Sequence, residues 1–161
     1  NLIKAFVELK LYEKGYNLVL IGKEDLVNKE MHLCLENLCP ETKTTIKFLT
    51  NIDNLEQLSF LRDASLFVYP SFAEGFGIPP LEAVAVGTPT LCSNKTAMAD
   101  FTFFNENHFN PNDIDELKIK ISNTLKNKNH KLEDKKEYVK THFNWDTIAK
   151  SYLEMLNNNN A

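Results

Sequence analysis

The sequence predicts an α/β domain built on a parallel sheet, and three observations carry that reading. Short apolar runs rich in β-formers recur at 17–21, 45–49, 66–69 and 88–92, with helical periodicity between them. The links are short, and several end in Gly or Pro. Leu66, Phe67, Val68 and Tyr69 are apolar without alternation, as befits a strand covered on both faces.

In chain order, residues 2–14 read as a helix, with Leu2, Phe6, Leu9 and Tyr12 at helical spacing and Gly15 as its stop. Residues 17–21 form a strand, 26–38 a helix and 45–49 a strand. A short helix follows over 54–62, with Asp53 or Asn54 as N-cap. Pro70 and Ser71 stop the strand at 66–69. Pro79 and Pro80 suit the first turn of the next helix, where a missing N–H costs nothing. Leu81, Ala83, Val84, Ala85 and Val86 carry that helix inward, and Gly87 ends it. A strand over 88–92 completes a βαβ unit, whose ligands bind at the carboxyl ends of the strands. Residues 107–109 make a short sixth element, and helices follow at 113–127, 132–141 and 145–156. The domain spans 1–156, and the Asn-rich tail 157–161 is expected to be disordered.

At 161 residues and 43% hydrophobic, the chain is long enough to bury one core. A net charge of −4 argues against a nucleic-acid surface, which wants a basic face. No run of 18 apolar residues offers a membrane span. Cys34, Cys39 and Cys92 are odd in number and lack zinc-site spacing, so they read as reduced thiols and point to the cytoplasm. His32, His108, His130 and His142 are scattered and read as packing or surface residues. Neither a Walker motif nor a Gly-x-Ser-x-Gly elbow is present.

The most informative stretch runs from 69 to 95, YPSFAEGFGIPPLEAVAVGTPTLCSNK. Glu74 falls on a Gly-rich loop after a strand, and Glu82, eight positions on, falls about one turn into the following helix. Gly75 and Gly77 allow tight turns and close backbone approach. Such a loop can offer backbone N–H groups and two acceptors to a polyhydroxylated, phosphate-bearing ligand. An arbitrary pair of glutamates is better read as solvated; here the glycines, the prolines and the helix start between them reverse the balance.

The run EGFGIPPLEA followed by VGTPTLCSN resembles the donor-sugar loop of retaining GT-B-fold glycosyltransferases, the group 1 enzymes related to glycogen and sucrose synthases. The resemblance covers about residues 2–156. It includes the strand at 46–50, the helix and strand at 58–69, the turn Phe109-Asn110-Pro111-Asn112-Asp113, and Phe143-Asn144-Trp145 before the last helix. It implies a Rossmann-like sheet with helices on both faces, one half of a GT-B fold.

The roles it implies are specific. Glu82 accepts hydrogen bonds from the ribose hydroxyls of a nucleotide-sugar. Glu74, the catalytic-site candidate, holds hydroxyls of the donor sugar beside the reacting carbon. Gly75, Phe76, Gly77, Ile78 and Leu81 complete the donor-binding stretch, with backbone N–H groups of Phe76, Gly77 and Ile78 on sugar and phosphate oxygens. The donor is a UDP- or GDP-hexose, a substrate rather than a cofactor, and no metal is expected. The chain opens at the first helix of the domain. The preceding strand near the middle of the sheet, its phosphate-binding Arg and Lys, and an N-terminal acceptor domain of the same parent are therefore expected upstream. This chain alone is expected to turn over little. The parent would be cytoplasmic, with peripheral contact at the inner membrane face through that domain.

Two further readings stay open: a non-catalytic nucleotide-sugar binding or interaction module, and a related sugar-nucleotide epimerase. Two departures bear on donor choice. Thr50 stands where the family mostly has Gly, and Asp100 follows Ala99 near a position where the family often has Glu after Pro.

Overall fold

Among the described residues, five short parallel strands organise the fold, in two sheets that share no hydrogen-bonded strand pair. The structure, a computed structural model, describes residues 1–22, 29–127 and 132–158. In the first sheet β1 (Leu18–Ile21) pairs with β2 (Ile46–Leu49), Leu18 opposite Ile46. In the second, β4 (Thr90–Ser93) lies between β3 (Phe67–Tyr69) and β5 (His108–Phe109). Tyr69 is opposite Cys92, and Cys92 opposite His108.

Strand β4 is the spine, with all four residues buried. Successive side chains of a strand point to opposite faces, and the two cores follow from that. On one face Leu91 packs with Ile3 and Phe6 of α1 (Leu2–Glu8) and with Leu117 and Ile121 of α6 (Ile114–Lys126). On the other, Cys92 packs with Leu81 and Val84 of α5 (Ile78–Ala85) and Val139 of α7 (Leu132–His142). Helices therefore cover both faces, as expected. Truncating Leu91, 1% exposed, would cost roughly 2–5 kcal/mol.

The remaining helices are α2 (Lys29–Glu36), α3 (Pro40–Thr44), α4 (Asn54–Asp63) and α8 (Trp145–Asn158). Asp53 is the N-cap of α4, its Oδ1 accepting from the Glu56 amide at 2.8 Å. Helix α5 ends in a Schellman pattern: the Gly87 amide donates to Val84 O and the Thr88 amide to Ala83 O, both at 2.9 Å. Helix α8 buries none of its residues and exposes Trp145, Ile148, Tyr152 and Met155 along its length.

Several boundaries differ from expectation. The first helix stops at Glu8 rather than Lys14. Lys10 turns left-handed at φ 50°, and a 3-10 turn, Leu11–Lys14, follows. In an unbroken helix Leu11 would sit opposite Leu2, Phe6 and Leu9; the break turns it into the core, 7% exposed. Helix α3 was not foreseen. Pro40 opens it, and Thr42, 2% exposed, anchors it. Two 3-10 segments, Thr96–Asp100 and Thr102–Asn107, also escaped the periodicity argument. Residues 26–28 of the expected second helix lie outside the described residues. Helix α8 runs through Asn158, two residues into the expected tail, whose remaining residues 159–161 are also outside.

A cleft of about 1000 Å³ separates the sheets, lined by every residue of β1 and β3 and floored by Leu2, Phe6, Ile121 and Leu125. The amides of Leu18 and Gly22 point to β2, and that of Phe67 to β4. By strand alternation those of Val19, Ile21 and Val68 point into the cleft.

Candidate functional site

The candidate site lies at the carboxyl ends of β3 and β4. Its walls are the loop 70–77, the first turns of α5 and the segment that follows β4. Pro70, which has no N–H to give a ladder, takes the chain out of the sheet after Tyr69.

Gly77 sets the geometry of the loop. It caps α5 at φ 94°. A Cβ there would lie 3.0 Å from Met98 Cγ and 3.3 Å from Phe101 Cε2. Gly75, expected to do the same, has no left-handed φ and nothing within 4 Å of a Cβ; the turn needs only one of the two glycines. Pro79 sits within the first turn of α5, as predicted. Neither Pro79 nor Pro80 brings an amide. Among the described residues, the amides of Phe76, Gly77 and Ile78 donate no hydrogen bond to another protein group. They stand at the positive end of α5, where backbone N–H groups attract anions.

The two glutamates are held differently. Glu74 Oε1 accepts from the Tyr69 hydroxyl at 2.6 Å and from Ser71 Oγ at 2.8 Å. The Glu74 amide donates to Thr96 Oγ1 at 3.0 Å. Burial pushes the Tyr69 phenol well above its ordinary value, helped by its hydrogen bond to Glu74 and by the charges of Glu74 and Cys92. It therefore remains a donor at any ordinary pH. Thr96 carries its hydroxyl at φ 48°, a left-handed conformation that a β-branched residue rarely adopts.

Glu82 is exposed in the second turn of α5. Its one described side-chain contact comes from Gln57 Nε2 of α4, at 3.5 Å, the outer limit of a hydrogen bond. Gln57, Tyr69, Pro70 and Pro79 also line the cleft between the sheets, so the residue that meets Glu82 is part of the cleft wall. No hydrogen bond joins the two glutamates. Both belong to one β–loop–α crossover, on partners that leave acceptor capacity open.

The other predicted residues divide. Phe76 and Ile78 are 50% and 57% exposed. The Phe76 ring meets Phe101 edge-on at 5.6 Å and Phe143 at 6.2 Å, which ties the loop to the end of α7. Leu81 is 6% exposed and packs among Val84, Met98 and Phe104. Its side chain belongs to the core, leaving only its backbone for a ligand.

Sequence reasoning missed Tyr69, Ser71 and Thr96. Tyr69 and Ser71 stood in plain view beside Glu74, but a strand-end Tyr and a Ser after Pro also serve packing and turns. Thr96 is 22 positions from Glu74, and no spacing rule links them. Among the described residues, no three His, Cys, Asp or Glu side chains are grouped to hold a metal ion, and no helix is long and apolar enough to cross a membrane.

This loop on this sheet defines the class. The chain belongs to the glycosyl transferases group 1 family, whose pattern it matches over residues 1–145. It is 32% identical over 113 residues, 70% of this chain, to the serotype-specific mannosyltransferase WbdA of Escherichia coli. It is 30% identical over 123 residues, 75% of this chain, to the O-antigen chain mannosyltransferase RfbU of Salmonella typhimurium. The chain spans 14% of the first relative and 34% of the second. The fold is similar to that of sucrose-phosphate synthase from Thermosynechococcus elongatus, with a TM-score of 0.73 at 23% identity, covering 97% of this chain and 41% of that one.

Proposed function

We propose that this chain is the donor-binding half of a retaining glycosyltransferase, which moves a hexosyl group from a nucleotide-sugar to an alcohol acceptor with the anomeric configuration kept. The single observation that carries the reading is the Glu74 carboxylate, held by Tyr69 and Ser71, on the same loop as the amides of Phe76, Gly77 and Ile78, which donate to no other group among the described residues. On this reading the carboxylate would take sugar hydroxyls and the amides the diphosphate, at the carboxyl end of a parallel sheet, where such ligands bind. The names of the relatives favour mannose as the hexose.

Each residue has a part. Glu82, exposed and loosely held, takes the ribose diol, because one carboxylate can accept two hydroxyls. Glu74 positions the sugar and is not a covalent nucleophile. The acceptor hydroxyl attacks the anomeric carbon on the face the diphosphate leaves. The new C–O bond forms as the old one breaks, and the hydroxyl proton passes to the departing phosphate. Stabilisation of that diphosphate is the largest catalytic contribution. The amides at the start of α5 supply part of it, and the Arg and Lys expected upstream the rest, so the reading needs no metal. The acceptor site belongs to a further domain of the parent, and this chain alone would bind donor weakly and turn over little. Three unpaired cysteines agree with a cytoplasmic setting.

The test is a split between two variants. Glu74→Ala should spare binding of the free nucleoside diphosphate and weaken that of its sugar conjugate. Glu82→Ala should weaken both. Equal losses for both ligands in Glu74→Ala would refute its sugar-specific role.

A further inference from the structure

We propose that Tyr69, with Ser71 and Thr96, is a positioning residue that fixes how Glu74 meets the sugar: Oε1 is held by the protein, and Oε2 is presented to the ligand. This rests on the donor-sugar reading of Glu74 and goes beyond it, because it assigns the two carboxylate oxygens different tasks.

The geometry is over-determined for an open loop. Glu74 has exposed neighbours, Ala73 and Gly75. Two hydroxyls, of Tyr69 and Ser71, hold its side chain, and a third, of Thr96, holds its backbone. Tyr69 is the last residue of β3, fixed in register opposite Cys92, and its ring lies beside that of Phe67 at 6.1 Å and 19°. Its hydroxyl and Ser71 Oγ converge on one oxygen, Oε1, at 2.6 and 2.8 Å. A carboxylate oxygen has about two lone-pair sites, so these two donors fill Oε1. Thr96, in the segment after β4 and itself in a strained conformation that persists only where surroundings impose it, holds the Glu74 backbone.

The consequence is pre-organisation. A free glutamate side chain must be ordered when ligand arrives, and that ordering weakens binding. Here the ordering is done in advance by the fold. The phenol stays protonated, so its role does not fade with pH across the working range. A carboxylate offering one oxygen also sets a directional limit: a single hydroxyl, or two converging on Oε2, can be read at this position.

Calorimetry on this chain tests the assignment, with GDP-mannose against GDP and UDP-glucose against UDP as probe pairs. The variants are Tyr69→Phe, Ser71→Ala, Glu74→Ala and the double Tyr69→Phe/Glu74→Ala. Tyr69→Phe keeps the ring and removes only the hydroxyl, and its nucleoside diphosphate affinity reports whether the site is still folded. The sugar-dependent part of the affinity should fall about threefold to tenfold in Tyr69→Phe, the scale of one net hydrogen bond. Ser71→Ala should fall in the same direction, and the double variant should be no weaker than Glu74→Ala alone. Two results overturn the proposal while leaving the donor reading intact: a Tyr69→Phe chain that keeps the full sugar-dependent affinity while Glu74→Ala loses it, or losses that multiply in the double variant. Sugar-dependent affinity in neither probe pair, or its survival in Glu74→Ala, overturns the donor reading and Tyr69's role together.

Discussion

Replacing Gly77 by Ala is the sharpest perturbation of the loop, because the structure fixes its size. Gly77 sits at φ 94°, where an L side chain costs roughly 1–2 kcal/mol in backbone strain. The new Cβ would meet Met98 Cγ at 3.0 Å and Phe101 Cε2 at 3.3 Å. Neither neighbour can swing aside, since Met98 is 0% and Phe101 5% exposed. Over-packing of that kind adds roughly 1–3 kcal/mol. The two contributions together give a loss of about 2–5 kcal/mol, or a fall in Tm of roughly 4–20 °C for a chain of this size. Gly75→Ala is the matched control: its φ is ordinary and its Cβ would touch nothing, so its stability should stay within about 0.5 kcal/mol of the parent chain. Urea and thermal unfolding of the three proteins measure both. Equal stability of the two variants would refute the claim that Gly77 alone sets the turn.

Other outcomes follow from the same structure. Amides of Val19, Ile21 and Val68, which face the cleft, should exchange hydrogen faster than those of Leu91 and Cys92 in β4; equal protection would mean the two edges are paired in solution. Under native conditions iodoacetamide should modify exposed Cys39 first and spare Cys92 until the chain unfolds, since burial pushes the Cys92 thiol up to about 12; early modification of Cys92 would contradict its place in the core. Burial also lowers the His108 pKa, against the hydrogen bond to Met98 O that raises it, with Lys120 and Lys135 adding to the lowering. The unfolded chain then binds that proton at higher pH than the folded one, so stability should decline as pH falls below about 6.5. His108→Gln should flatten that part of the profile, and an unchanged slope would assign it elsewhere.

Much of this molecule was legible in its sequence, for reasons that differ by element. The run Leu66–Tyr69 and the pair Pro79-Pro80 place β3 and the start of α5 because strand burial and helix N-termini have strong local signatures. Gly87 ends α5 for the same kind of reason, its φ of 89° being one that other residues resist. The break at Lys10 was not legible: helical spacing continued through Tyr12, and only the tertiary demand to bury Leu11 interrupts it. The 3-10 segments between β4 and β5 were hidden too, because an aromatic cluster of Phe101, Phe103, Phe104 and Phe143 fixes them rather than any period. At the site, the motif pointed to both glutamates. The hydroxyls that orient Glu74 became visible only once β3, the loop and the segment after β4 were set side by side.

The measurement that bears most directly on the central claim is a calorimetric titration of this chain with UDP, GDP and ADP and with their mannose, glucose and N-acetylglucosamine conjugates, with Glu82→Ala as control. Selective binding of one nucleotide that is lost in Glu82→Ala is the expected result, and it would name the donor base. Binding of the same nucleotide with equal affinity by the parent chain and Glu82→Ala would contradict the ribose role of Glu82 and the donor site built around it.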